Sequence, residues 1–148
     1  MNIHLLAIIA SLSVGSMLAA DDNKSKAKPL YAKVVPACLE ILVGGRLDGS
    51  AAIVSEEGLV LTACHVIRKK SKSYEALSPT LGRHPLELVC TDRSHDLALL
   101  SLPKREKPYP FLKVARNIPN EGRPSYLLGA PVFRHNLLIT GYVAKKKS

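Results

Sequence analysis

Residues 49–67 read GSAAIVSEEGLVLTACHVI and contain two apolar runs that are joined by a polar turn. The runs SAAIVS and GLVLT flank two glutamates, and Gly58 supplies the backbone freedom that a tight reversal needs. This pattern predicts a β-hairpin. The second run stops at Thr62, and His65 follows where we expect a single helical turn. The stretch therefore raises the question of whether His65 is a core or turn histidine or a catalytic base.

The chain after residue 33 repeats this pattern of short apolar runs between turns. Ten prolines and nine glycines punctuate the sequence. No run has the length and periodicity of an amphipathic helix. Many short strands at close spacing predict an all-β barrel or sandwich. The predicted strands lie in KVVPACLEILVGG, HPLELVCT, DLALLSL, FLKVA, SYLLGAP and NLLITGYVA, besides the hairpin.

Composition and charge limit the possible classes of protein. The chain has 148 residues, of which 47% are hydrophobic and 22% are charged, which excludes a disordered or collagen-like chain. The formal net charge is +9. The basic residues form short clusters, the densest at 68–72 and 145–147, without the interleaved aromatic side chains that stack on bases. We therefore expect a solvated basic surface and no specific nucleic acid partner, with polyanion binding as an alternative.

The N-terminal residues differ in character from the rest. Residues 1–20 are apolar and small after His4, are short for a membrane span, and end in SMLAA, which predicts a secretory signal peptide and an exported protein. An uncleaved membrane anchor is the alternative, and only that form would contact a membrane. Residues 21–32 are polar and charged, and we interpret them as a tether.

The three cysteines do not identify a metal or redox site. Cys38, Cys64 and Cys90 lie in apolar runs, and alternation in HPLELVCT places Cys90 on the same face as Leu86 and Leu88. We expect buried free thiols, with one disulfide as the alternative. Neither the cysteines nor the histidines have metal-ligand spacing, so no metal or cofactor is expected.

A histidine and an aspartate are the candidate catalytic pair. Asp96 opens the apolar run DLALLSL and lies 31 positions after His65. A histidine that acts as a general base needs a carboxylate on its other ring nitrogen, and a carboxylate at the start of a buried strand suits that role. Asp92 and His95, in the loop before this run, are rival candidates. The residues alone leave this choice open.

Three segments resemble the trypsin-like serine proteases, and most closely their bacterial HtrA-like branch. GSAAIVSEEGLVLTACHVI resembles the histidine segment, DRSHDLALLSL the aspartate segment, and YLLGAPVFRHNLLITGYVA the start of the second barrel. The resemblance covers residues 37–144. It implies a six-stranded Greek-key barrel followed by the opening strands of a truncated second barrel, within a peptidase domain at 33–148. It also implies that His65 is the general base, that Asp96 orients it, and that Thr62 and Ala63 support the histidine turn.

The sequence departs from this family at the nucleophile. The family serine lies in a Gly-x-Ser-Gly-Gly turn, and these 148 residues contain no such motif. Cys64 is adjacent to His65, and neighbouring side chains usually point apart. The serines that follow Asp96 lie in strand patterns or at the last position: Ser101, Ser125 and Ser148.

The missing nucleophile leaves three interpretations of function. The first is a fragment of a serine endopeptidase whose substrate is a protein or peptide. The second is a non-catalytic secreted barrel that binds a peptide along an open strand edge. The third is the polyanion-binding barrel. The sequence assigns no oligomeric state.

Overall fold

The computed structural model describes residues 21–67, 73–130 and 137–144. The predicted signal peptide at 1–20 and the basic clusters at 68–72 and 145–147 lie outside the described residues. One helix precedes eight strands: α1 (Asp21–Val34), β1 (Cys38–Val43), β2 (Arg46–Ile53), β3 (Leu59–Ala63), β4 (Tyr74–Ser78), β5 (Gly82–Asp92), β6 (Leu97–Ser101), β7 (Pro124–Gly129) and β8 (Leu137–Tyr142). Short 3-10 turns cover Val35–Ala37 and Cys64–Ile67.

The first six strands form a closed antiparallel barrel in the order β1-β2-β3-β6-β5-β4, in which β4 returns to pair with β1. β7 and β8 form a separate two-stranded sheet. This architecture confirms the predicted all-β fold of one Greek-key barrel followed by the opening strands of a second. In the closed barrel each of β1–β6 pairs with a strand on both sides, which protects strand edges from aggregation.

The barrel interior is filled by aliphatic side chains. Ile41, Ile53, Val60 and Leu100 are fully buried, and they come from four different strands. Every residue of β1 is buried, including those that face away from the interior, and β1 contacts β7. The aliphatic composition of the sequence thus supplies the barrel core without tryptophan.

The predicted hairpin consists of β2 and β3, and its turn packs against the chain that leaves β6. The Val54 N–H donates a hydrogen bond to the Leu59 carbonyl at 2.7 Å. Gly58 has a φ of 94°, which favours glycine. A Cβ atom at this position would lie 2.8 Å from the Tyr109 ring. The Tyr109 N–H in turn donates to the Glu56 carbonyl at 2.9 Å, so the hairpin turn and the later chain are fixed together.

The alternating face predicted for HPLELVCT is wrong in its second half. Leu86 is buried, but Leu88 and Cys90 are exposed. The pairing of β5 with β6 shifts between Leu88 and Cys90, which is a β-bulge that places an additional residue in β5. Because a bulge interrupts the two-residue period, the alternation in the sequence does not predict the face of Cys90. The bulge follows Leu88, which pairs with Leu100, so it accounts for the exposure of Cys90 and not for that of Leu88.

The prediction of buried thiols holds for two of the three cysteines. Cys38 and Cys64 are buried, Cys90 is exposed, and all three are free. Burial raises the pKa of the Cys38 thiol to about 11. The Cys38 thiol donates a hydrogen bond to the Val34 carbonyl at 3.4 Å.

Helix α1 was not predicted, because DDNKSKAKPLYAKV has no apolar stripe. The helix covers the segment that we interpreted as a polar tether, and Pro29 lies inside it. Alanine, leucine and lysine have good helix propensities, which favour a helix without an apolar face. No helix within the described ranges is long and apolar enough to cross a membrane.

We expect Gly58→Ala to destabilise the barrel more than Gly45→Ala does. Both glycines have a positive φ, 94° and 81°, but a Cβ at Gly45 meets nothing within 4 Å, whereas at Gly58 it meets Tyr109. Gly45→Ala therefore measures the backbone cost alone, about 1–2 kcal/mol. The contact with Tyr109 should add roughly 1 kcal/mol or more to the loss. Urea unfolding of both variants measures the difference, and equal losses would contradict the packing of Tyr109 against Gly58.

We expect the folded protein to be alkylated at Cys90 and not at Cys38. Cys90 is exposed, whereas burial both shields the Cys38 thiol and raises its pKa, which lowers the fraction of reactive thiolate. Iodoacetamide at pH 8 followed by peptide mass mapping tests this, with alkylation in urea as the control in which both thiols react. Protection of Cys90 to the same degree as Cys38 in the folded state would contradict the exposed position that the bulge gives Cys90.

Candidate active site

The turn that carries His65 is anchored by its apolar neighbours. β3 ends at Ala63, and the chain continues as the 3-10 turn Cys64–Ile67. Cys64, Val66 and Ile67 are buried in this turn, while His65 is exposed. Because the neighbours on both sides are held in the protein interior, the imidazole is directed to the surface.

Strand pairing brings Asp96 to the same place. β3 and β6 are antiparallel, and Ala63 pairs with Leu97, so the residue before Leu97 lies beside the start of the histidine turn. The Cys64 N–H donates to the Asp96 carbonyl at 2.9 Å, which extends the ladder beyond both strands. Asp96 has a φ of 55°, a left-handed conformation that aspartate tolerates better than most residues.

The Asp96 carboxylate contacts His65 through both of its oxygens. His65 Nδ1 lies 2.6 Å from Oδ2, and the His65 backbone N–H donates to Oδ1 at 2.8 Å. An ionised carboxylate only accepts hydrogen bonds, so Nδ1 carries the proton of a neutral imidazole and Nε2 is left to accept one. Nε2 has no hydrogen-bond partner among the described residues. Each of the two side chains is 44% exposed, so the pair is reachable from solvent.

The rival candidates Asp92 and His95 pair with each other. His95 Nδ1 lies 2.6 Å from Asp92 Oδ2, the same distance as in the first pair, but both residues belong to one exposed turn. The Ser94 hydroxyl and then His95 donate hydrogen bonds that hold the pKa of the Asp92 carboxyl well below its usual value. A local pair of this kind closes the turn between β5 and β6, whereas the pair of His65 and Asp96 joins two elements.

The serines and the cysteine that the sequence analysis set aside as nucleophiles lie in strands, in the histidine turn or outside the described residues. Ser101 pairs within the barrel sheet, and Ser125 pairs with Gly141 in the second sheet. Ser148 lies outside the described residues. Cys64 is buried inside the histidine turn.

Thr62, one of the two residues predicted to support the histidine turn, contacts a residue to which the sequence analysis gave no role, and a second such residue packs against the turn. The Thr62 hydroxyl donates to the Ser50 carbonyl at 2.8 Å. A Cβ atom on Gly49 would lie 2.5 Å from a methyl carbon of Val66. Gly49 and Ser50 form the dipeptide that opens the quoted hairpin, so their position was visible in the sequence, but their contacts were not.

No group of three or more histidine, cysteine, aspartate or glutamate side chains in the described part of the chain is arranged to hold a metal ion. The pair of His65 and Asp96 is an oriented imidazole with one nitrogen available for proton transfer.

Comparisons with known proteins agree with this fold. The probable membrane transporter protein MamO of Paramagnetospirillum magneticum is 32% identical over 137 residues, which are 86% of this chain and 22% of that protein. Serine protease HTRA1 of Xenopus laevis is 29% identical over 119 residues, which are 78% of this chain and 23% of that protein. The chain therefore spans less than a quarter of the length of these curated relatives.

A solved structure extends the likeness to three dimensions. The protease domain of MamO from Magnetospirillum magneticum, in its apo form, superposes with a TM-score of 0.64 at 28% identity, and the match covers 77% of this chain and 63% of that one. Residues 49–148 match the family model described as the trypsin-like peptidase domain. The match begins at the Gly-Ser dipeptide and includes His65 and Asp96. On these grounds the chain belongs to the trypsin-like peptidase domain family.

Proposed function

We propose that His65 and Asp96 are the general base and the orienting aspartate of a serine endopeptidase site, in which the nucleophile is a serine that these 148 residues do not include. One observation carries the proposal: both oxygens of the Asp96 carboxylate contact His65 across 31 residues of sequence. The Asp92 carboxylate also contacts His95 through both of its oxygens, but those contacts stay within one exposed turn. The contacts of Asp96 instead reach a histidine on a different element, and the contact with Nδ1 fixes the tautomer of its ring.

The proposed reaction uses His65 Nε2 as the acceptor of a proton. The serine oxygen attacks the carbonyl carbon of the peptide bond while its proton moves to Nε2, and the imidazolium is stabilised by the Asp96 carboxylate. The same proton then moves to the nitrogen of the departing amine, which leaves an acyl-enzyme. A water molecule then attacks the acyl carbonyl carbon while its proton moves to Nε2. Transfer of that proton to the serine oxygen releases the product and restores the serine and the neutral histidine.

We extend the proposal to the organisation of the chain. Residues 33–148 constitute the peptidase domain, which is supported by the barrel that starts at Cys38 and by the family match over 49–148. Residues 1–20 act as a secretory signal peptide, which is supported by their apolar sequence and small residues at the end. The substrate class is a protein or peptide, in keeping with the family.

The nucleophile is the first part of the proposal to test. We expect that the protein purified from its natural source reacts with a biotinylated fluorophosphonate, which forms a covalent bond with an activated serine. Sequencing of the labelled peptide should place the serine in a Gly-x-Ser-Gly-Gly context, in a segment that follows residue 148. A native protein that contains residues 33–148 and remains unlabelled would contradict the proposal and would favour a non-catalytic barrel that binds a peptide.

The roles of the two residues are tested by variants of the native protein. We expect His65→Ala and Asp96→Asn each to lower the labelling rate roughly 10³- to 10⁴-fold, because the serine loses its base or the base loses its tautomer. His95→Ala and Asp92→Asn are matched controls, since that pair has the same 2.6 Å distance but lies in an exposed turn. Similar losses from the two pairs of variants would contradict the assignment.

A further inference from the structure

Ser50 contacts two parts of the molecule, strand β3 and the end of β7. The Ala130 N–H, just after β7, donates to the Ser50 hydroxyl oxygen at 2.8 Å, and 80 residues separate the two. The Ser50 carbonyl accepts from the Thr62 hydroxyl at 2.8 Å, three residues before His65. One residue of the barrel is therefore bonded both to the strand that carries the histidine turn and to the second sheet.

Two glycines allow these segments to come so close. A Cβ on Gly49 would lie 2.5 and 2.8 Å from the two methyl carbons of Val66, the residue after His65. A Cβ on Gly129 would lie 3.2 Å from the Ser50 hydroxyl oxygen. The start of the quoted hairpin thus lies directly against the histidine turn at Gly49 and against the end of β7 at Ser50.

We propose that the Ser50 hydroxyl is a positioning group that holds the end of β7 in place relative to the His65 turn. β7 and β8 form no ladder with the barrel strands, so contacts between side chains and backbone set the position of this sheet on the barrel. The catalytic consequence rests on the proposed function. If the base is on the first barrel and the serine follows the second sheet, the Ser50 contact helps to set the distance between them.

The size of the expected effect follows from the demands of proton transfer. A displacement of about 1 Å between reacting groups can reduce a rate roughly 100-fold. Loss of one hydrogen bond to a neutral hydroxyl weakens the local structure by only a small amount, because folding exchanges such a bond for one with water. Removal of the Ser50 hydroxyl should therefore reduce the rate of the proposed reaction much more than it reduces the stability of the barrel.

Amide hydrogen exchange of the full chain tests the contact directly. In Ser50→Ala we expect the Ala130 amide to exchange about tenfold faster, which corresponds to about 1.4 kcal/mol. The amides of Val60 and Leu100, in the barrel core, should exchange at an unchanged rate. Ser50→Thr keeps the hydroxyl and should keep the protection of Ala130. Identical protection of Ala130 in Ser50→Ala and the unsubstituted protein would overturn the proposal, and so would a general loss of protection in the barrel.

The catalytic part is tested by fluorophosphonate labelling of the native protein as a function of pH. In Ser50→Ala we expect the maximal labelling rate to fall roughly 10- to 100-fold while the midpoint of the pH profile stays the same, because His65 and Asp96 are intact. Ser50→Thr should recover most of the rate. An unchanged rate, or a shifted midpoint, would overturn a positioning role. An unsubstituted protein that is not labelled would overturn both the proposed function and this catalytic role, whereas exchange at Ala130 would still decide whether the hydroxyl holds β7.

Discussion

Antiparallel pairing between β3 and β6 is the constraint on which the candidate site depends. Five consecutive residue pairs join the two strands, and one of them places fully buried Val60 opposite fully buried Leu100. A slip of one strand by one residue would turn its buried side chain out of the core, so burial fixes the register. Beyond the last pair, the backbone hydrogen bond from the Cys64 N–H to the Asp96 carbonyl continues the ladder and sets the Asp96 carboxylate beside His65. The geometry of the pair is thus a consequence of packing in the barrel interior.

The first barrel and the chain that leaves it are connected by isolated hydrogen bonds and side-chain packing, not by a strand ladder. Between β6 and β7 the chain returns to the β2–β3 hairpin, where the Leu112 N–H donates to the Ile53 carbonyl and the Tyr109 N–H to the Glu56 carbonyl, both at 2.9 Å. Arg105 lies 3.6 Å from the centre of the Tyr109 ring and covers it from outside. These contacts hold the connecting segment to a rigid element. The second sheet reaches the barrel through packing on β1 and the hydrogen bond from Ala130.

The two pairs of histidine and aspartate show that residue types alone do not identify the catalytic candidate. Both pairs have an Nδ1–Oδ2 distance of 2.6 Å, and both aspartates come from the same short loop. From the residues alone, either aspartate could have served His65. The structure distinguishes them because Asp92 closes its own turn through Ser94, whereas Asp96 follows that turn and stands at the end of the β3–β6 ladder.

The sequence by itself predicted the hairpin and an all-β fold, because turn glycines and apolar runs are local properties of a chain, and its resemblance to a known family selected the barrel and the candidate pair of His65 and Asp96. It did not determine the exposure of Cys90, which depends on a bulge in the pairing of β5 with β6. It also did not determine the contact of Ser50 with Ala130, which joins residues 80 positions apart. Only the tertiary structure decides such features, because register and contact between distant segments follow from how whole strands pack together, and no local period in the sequence records them.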